Sequence, residues 1–366
     1  MALAPSLKDV EQLSKTKQPQ GAPMAKNEEV SKAISNFEEL DLAINGIVEY
    51  SIIGCGGAGK VAAIRFAKTQ TKLSKPPVIT TIDTSGVSSK IEGVESLCID
   101  GLQGSGKLRR ENADAIKSFA TDYVERNEFA PVNILVFSAA GGSGSVIGPV
   151  LLAEILRQGK IAIVITLVDI DSATDSVNSF NLLKTLDNIS KSKGAYVPTV
   201  LFDNSNGRFK VDSGIDSTLA NLAELLSQPL IGLDTQDRLR FLNPIEFDGV
   251  TAGIKLLNLS RTKDGGWEDN GQFDLPDTND RIDAALIISQ LADHLTLDKR
   301  CVVTFRGYRD DDQSNLIASV GYPLPESVIK MLNATIHAHK SSAPTKETKV
   351  QAEYEIGKDS GGGLIL

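Results

Sequence analysis

The stretch from Ser138 to Pro149, centred on Gly141, Gly142, Ser143, Gly144 and Ser145, constrains this chain more than any other. It follows an apolar run, Asn133-Ile134-Leu135-Val136-Phe137, that reads as a buried parallel strand. It precedes Leu151 to Arg157, which reads as a helix. Glycines between a strand end and a helix start let backbone N–H groups crowd an anion. The helix start adds unpaired donors and a favourable dipole. Ser143 and Ser145 add hydroxyl donors. The pattern predicts a loop that holds nucleotide phosphates.

A second loop repeats the theme. Ile47 to Ile53 reads as a strand, Gly54-Cys55-Gly56-Gly57-Ala58-Gly59 follows, and Lys60 to Lys68 reads as a helix. As GxGxxG it fits a dinucleotide fingerprint, with Asp83 placed after Val78 to Ile82 where an acid would meet a ribose. As GxxxxGK it nearly fits a P-loop, but Val61 stands where Ser or Thr would hold Mg²⁺. Gly101 to Lys107 spells the same motif, and Leu108 fails in the same way.

The spacing of the whole half decides between these templates. Glycine-rich loops at 54–59, 101–106 and 139–145 each follow a strand. Asp83-Thr84-Ser85 ends another, and Asp169 to Asp175 follows the apolar run Ile161 to Val168. Successive strands ending in such loops put every loop on the carboxyl edge of one parallel sheet, where ligands bind. Several converging loops suit a triphosphate better than a dinucleotide. A nicotinamide-dependent oxidoreductase also lacks an evident Tyr-Lys or His catalytic set, since all three His lie after residue 290. Lys107, Arg109 and Arg110 read either as a screen for phosphate charge or as a solvated basic turn.

Composition narrows the classes. A net charge of −9 argues against a general nucleic-acid-binding surface. No apolar run approaches the roughly 20 residues of a membrane span. The polar N-terminus lacks a signal-peptide core, and Cys55, Cys98 and Cys301 form no CxxC. Both features predict a cytoplasmic, reducing location without a zinc site or disulfide framework.

At this point the residues resemble the tubulin/FtsZ superfamily. Ala140 to Ser145 looks like its signature loop, with Ser143 in place of the usual Thr and Val146 in place of the closing Gly. Both departures, with Ile147-Gly148-Pro149, resemble phage-encoded tubulins of the PhuZ type. Gly54 to Gly59, Asp83 to Ser85, Gly101 to Asn112 (with Gly104, Ser105 and Gly106) and Asp169 to Asp175 (with Asp171) then resemble further nucleotide loops of the family. The resemblance covers roughly residues 47 to 340.

It implies an α/β fold: a parallel-sheet GTP-binding domain, a long central helix and a smaller α+β C-terminal domain. The expected divisions are an extension at 1–46, the GTP-binding domain at 47–212, and the central helix with its catalytic loop at 213–240. A C-terminal domain at 241–340 and a tail at 341–366 follow. Asp175 to Lys191 resembles the helix whose Asn meets the guanine base, with Asn178 the first choice and Asn181 the second. Ile215 to Ser227 resembles the central helix, in which Asp216, or alternatively Asn221, would read guanine N–H groups. Leu230 to Leu239 resembles the catalytic loop, with Asp234 and Asp237 as its acidic pair. Asp-x-x-Asp also reads as a helix N-cap with an acid in the first turn.

In the family this loop completes the nucleotide site of the next subunit in a filament. The implied function is a GTPase, with GTP and Mg²⁺, that polymerises head to tail. The implied role is a spindle positioning phage particles or a phage DNA compartment in a bacterial host. A nucleotide-binding scaffold with little hydrolysis and a plasmid-segregating relative are the alternatives.

Other stretches carry weaker expectations. Glu28 to Leu42 predicts an amphipathic helix that packs on its own domain or contacts another subunit. Leu256 to Arg261 reads as a strand, and Asp264 to Asp280 as a polar loop carrying Trp267. Ile282 to Leu295 reads as a helix, and Cys301 to Tyr308 with Leu316 to Tyr322 as neighbouring strands. Glu326 to His337 reads as an amphipathic helix. The tail ends in three glycines and Leu364-Ile365-Leu366. It reads as disordered, or as an apolar end that binds a groove on a partner.

Overall fold

The computed structural model describes residues 46–69, 73–85, 91–107, 109, 112–263, 266–267, 281–289, 300–309, 315–322 and 326–342. All of them belong to the unit Ala43–Leu366. The expected helix at 28–42, Arg110, most of the loop carrying Trp267, residues 290–295 and the tail from 343 lie outside the described residues.

Among the described residues one sheet of eleven strands organises the fold. The strands are β1 (Tyr50–Cys55), β2 (Val78–Asp83), β3 (Val94–Cys98), β4 (Val132–Ser138), β5 (Ile161–Val168) and β6 (Tyr196–Asp203). They continue with β7 (Gly253–Lys263), β8 (Gly266–Trp267), β9 (Ile282–Ile288), β10 (Cys301–Gly307) and β11 (Asn315–Tyr322). Their order is β10-β9-β11-β7-β6-β5-β4-β1-β2-β3, with β8 beside β7. From β3 to β7 every pairing is parallel, whereas β11 runs antiparallel to both β7 and β9.

Among the described residues the α-helices are α1 (Gly56–Thr69), α2 (Ala113–Arg126), α3 (Gly144–Arg157), α4 (Ala173–Ser192), α5 (Arg208–Ser227), α6 (Thr235–Leu242) and α7 (Glu326–Ser342). The central strands β1, β4, β5 and β6 are buried almost throughout because both of their faces are covered, whereas the edge strand β3 is only partly buried. Ile52 and Ile134 pack with Phe66 of α1 and Leu219 and Leu222 of α5 on one side. Ile53 and Leu135 pack with Leu151 of α3, Leu182 of α4 and Leu332 of α7 on the other. Each such side chain contributes roughly 1.5–3 kcal/mol by leaving water.

Two expectations from the sequence are corrected. Ile282–Ile288 is a strand, not the start of a helix, and its seven residues are all buried. A continuous apolar run has no period to separate the two, and here β11 and β10 flank it. For the same reason β10 and β11 are not neighbours, because β9 lies between them.

Candidate functional site

Parallel pairing brings the ends of β1 to β6 to one edge of the sheet. There the first loop has almost no length: β1 ends at Cys55 and α1 begins at Gly56. A Cβ on Gly54 would lie 2.4 Å from the Gly59 carbonyl, and one on Gly59 only 1.9 Å from the Val136 carbonyl. Gly56, at φ +67°, approaches the Gly144 nitrogen, which its Cβ would meet at 2.6 Å. These three glycines let backbone pack on backbone. Gly57 and Ala58 are different: both are exposed, and the Cβ direction of Gly57 is open. Their N–H groups lie in the first turn of α1, where no intrahelical acceptor exists. Cys55 contributes backbone only, since burial pushes its thiol far above the ordinary range.

Ser143 is where the loops meet. Its hydroxyl bonds the Thr84 hydroxyl and shares a 3.2 Å hydrogen bond with Ser105. Asn112 fixes the third loop, its amide donating to the Gly104 carbonyl and the Ser105 hydroxyl, both at 2.9 Å. Gly106, at φ +49°, follows. Gly142 seats against Ser105, whose Cβ would be 2.7 Å from an added Cβ. Ala140 is buried, and its carbonyl accepts the Asn178 amide at 3.2 Å. The Ser145 hydroxyl is turned inward, donating to the carbonyls of Gly141 and Gly142. Asp83 uses its carboxylate within its own turn, accepting from the Thr84 N–H at 2.8 Å and the Ser85 hydroxyl at 3.0 Å.

The α4 start adds a charged strap. Ser172 caps the helix, accepting from the Asp175 N–H at 3.1 Å and donating to its carboxylate at 2.6 Å. Asp175, 2% exposed, also accepts from Lys107 Nζ at 2.7 Å. That bond holds the Lys107 ammonium above its ordinary pKa. Lys107 has φ +68°, a conformation few side-chain-bearing residues adopt. Asn178 braces the same corner, also donating to the Lys107 carbonyl at 3.1 Å. Asp171 is exposed in the preceding loop, and its N–H donates to Asp169 at 2.9 Å. Asn181 is half-buried, about one turn beyond Asn178 in α4. Arg109 donates to the Ser145 carbonyl at 3.4 Å, the acceptor that Pro149 leaves unserved inside α3.

The central helix starts seven residues before the expected Ile215, at Arg208. This moves the expected reader of the base away from the edge. Asp216 lies in the third turn of α5, its carboxylate bound by Arg65 of α1 at 3.0 Å. Asn221 is engaged by Arg261 at 3.2 Å. The sequence reading missed Phe209, in the first turn of α5 and 89% exposed. It lies off the buried stripe Val211, Ile215, Leu219 and Leu222, and that mismatch was visible in the sequence.

The acidic pair lies at the opposite edge. α5 is twenty residues long, about 30 Å, and its Leu226 carbonyl accepts from Val48 just before β1. Asp234 then caps α6. Its carboxylate accepts from the Asp237 N–H at 2.9 Å, while the Asp237 carboxylate accepts from the Asp234 N–H at 3.2 Å. Asp234 is exposed and Asp237 half-buried. Arg238 beside them is wholly buried, which pushes its guanidinium down to about 10. Among the described residues no three His, Cys, Asp or Glu side chains group as a metal site, and no helix is long and apolar enough to cross a membrane.

No protein-family profile matches the chain. It is 28% identical over 200 residues to a phage tubulin-like protein of Pseudomonas phage PhiPA3, covering 54% of this chain. The matched segment spans 61% of that relative's length. Among solved structures, a protofilament of TubZ from bacteriophage PhiKZ superposes with a TM-score of 0.69 at 21% identity, over 82% of this chain and 95% of that one. A GDP-bound structure of the phage tubulin PhuZ gives 0.69 at 15% identity over the same shares. The glycine loops gathered on one sheet edge, the long helix beneath them and the acids at its far end are thus arranged on the tubulin/FtsZ fold, in a chain similar to the phage tubulin-like proteins.

Proposed function

We propose that this chain is a GTP-binding, GTP-hydrolysing cytoskeletal protein that polymerises head to tail, with hydrolysis completed by the neighbouring subunit. One observation carries the reading. The anion-suited loops and the acidic pair sit at opposite edges of the sheet, separated by the length of α5. No subunit can bring its own acids to its own phosphates, but a stacked copy can.

The residues fit a nucleotide. The open side of Gly57, the hydroxyls of Thr84, Ser105 and Ser143 and the first turn of α1 suit phosphates. Phe209 offers an exposed face to a flat base. Mg²⁺ would be held largely by the phosphates and water, as is usual for this ion. In hydrolysis a carboxylate of Asp234 or Asp237 orients a water and accepts its proton as it attacks the γ-phosphorus. The bond to the bridging oxygen breaks, giving GDP and phosphate.

The relatives support the polymer. The PhiKZ structure is described as a protofilament and the PhuZ structure as GDP-bound. A phage spindle that positions phage material in the bacterial cytoplasm is the role we propose, with a plasmid-segregating filament as its near alternative. The reciprocal cap favours a second reading, a scaffold that binds nucleotide without hydrolysing it, because it gives both acids a structural task. Electron microscopy with GTP and with GDP, alongside phosphate release, separates the two. Filaments with GTP and steady release support the proposal, while filaments without release support the scaffold.

A further inference from the structure

Among the described residues Arg238 is the largest side chain that is completely buried. Its Nη1 donates to the Leu225 carbonyl at 2.6 Å and the Gln228 carbonyl at 3.0 Å, at the very end of α5. Its Nε and Nη2 are buried and find no hydrogen-bond partner among the described residues. Gly46, at φ +66°, closes over the guanidinium, and a Cβ there would lie 2.8 Å from Nη2. Burial costs this cation its hydration, and Nε and Nη2 gain nothing in return. Its Nη1 bonds cap the last carbonyls of α5 and the nearby Asp234 and Asp237 carboxylates favour its charge, so it has a structural task as well. What sets it apart is its position: it directly follows Asp237 and ties α6, which carries the acids, to the end of α5.

We propose that Arg238 is a positioning residue, which holds the Asp234–Asp237 cap in one orientation against the end of α5 so that the pair meets the nucleotide site of a second copy of this chain. The proposal rests on the catalytic reading of the two acids. A carboxylate displaced by about 1 Å from its productive place loses up to roughly a hundredfold in rate. Methionine would fill much of the same volume without tying the two helices.

The test compares R238M, R238K and D237A with the wild type in the full chain. It measures melting temperature, affinity of the unassembled subunit for GTP, polymer recovered by sedimentation, and phosphate released per sedimented subunit. R238M is expected to melt somewhat below the wild type, because the α5 carbonyls lose their donor, and to bind GTP and assemble as the wild type does. It should release phosphate ten- to a hundredfold more slowly. R238K, which restores a donor to the α5 carbonyls, is expected to recover part of that loss. Wild-type release per sedimented subunit in R238M, with D237A slow, would overturn the proposal and leave the role of the acids standing. If D237A also releases phosphate at the wild-type rate, the reading of the acids fails and the proposal with it. Should R238M not fold, R238Q takes its place, its neutral side chain too short to tie the two helices: slowed release with unchanged GTP affinity supports the proposal, and wild-type release overturns it.

Discussion

Asp234 and Asp237 cap one another's backbone, at 2.9 Å in one direction and 3.2 Å in the other. The cap uses one oxygen of each carboxylate, so it does not compete with a catalytic role for the other. Asp237→Ala is expected to cost about 0.5–2 kcal/mol of stability through the lost cap. It should leave GTP binding intact and slow hydrolysis about 10²- to 10⁴-fold. Asp237→Asn should regain the cap but not the hydrolysis. Thermal melts and phosphate release check both, and loss of GTP binding in Asp237→Ala would contradict the assigned role.

The glycines of the first loop should separate folding from binding. Gly59→Ala forces a Cβ to within 1.9 Å of the Val136 carbonyl and is expected to destabilise the fold severely. Gly57→Ala meets open space, so it should melt near the wild type and weaken nucleotide binding alone. Circular dichroism melts and nucleotide titration distinguish the outcomes. Equal effects from the two substitutions would contradict the packing described.

Phe209 and Asp216 give a contrast within α5. Phe209→Ala is expected to weaken binding by about 1–3 kcal/mol, the usual worth of a base stacked on an aromatic ring. Asp216→Asn should leave the preference for GTP over ATP unchanged, because Asp216 is paired with Arg65. Equilibrium titrations with both nucleotides test this, and a lost preference in Asp216→Asn would return the specificity role to that residue.

The buried Tyr196–Asp283 pair predicts a pH dependence. The Tyr196 hydroxyl donates to the Asp283 carboxylate at 3.0 Å. Burial raises the Asp283 pKa despite that bond and the nearby Lys255 and Arg281. A raised carboxyl pKa stabilises the fold at acid pH, and that contribution is lost as pH rises from about 4 through the folded value. Urea unfolding of the wild type and D283N from pH 4 to 8 should show D283N gaining relative stability as pH rises, then a plateau. A gap that opens toward acid would contradict the burial argument.

The glycine loops were legible because a backbone that crowds an anion or another backbone admits almost no other residue there. What crowds each glycine was not legible: Gly56 meets Gly144, eighty-eight positions away in the chain, a contact only the β1–β4 pairing creates. Ile282–Ile288 was misread because a fully buried run has neither helical nor strand period. Asp216 was expected near the helix start, and lies in the third turn instead, because the true start at Gly207-Arg208 carries no side-chain cap to mark it. Arg238 went unnoticed because an arginine in a short charged helix reads as solvated. Its spacing from Phe241 and Leu242, both buried, puts it on the apolar face and was the available signal.

The most direct measurement is phosphate release per subunit as protein concentration crosses the onset of assembly, followed by light scattering in the same sample. Release near zero in dilute protein, rising steeply with scattering in the wild type but not in Asp237→Ala, is the expected result. A rate per subunit that stays constant down to concentrations without polymer would contradict a site shared between two molecules.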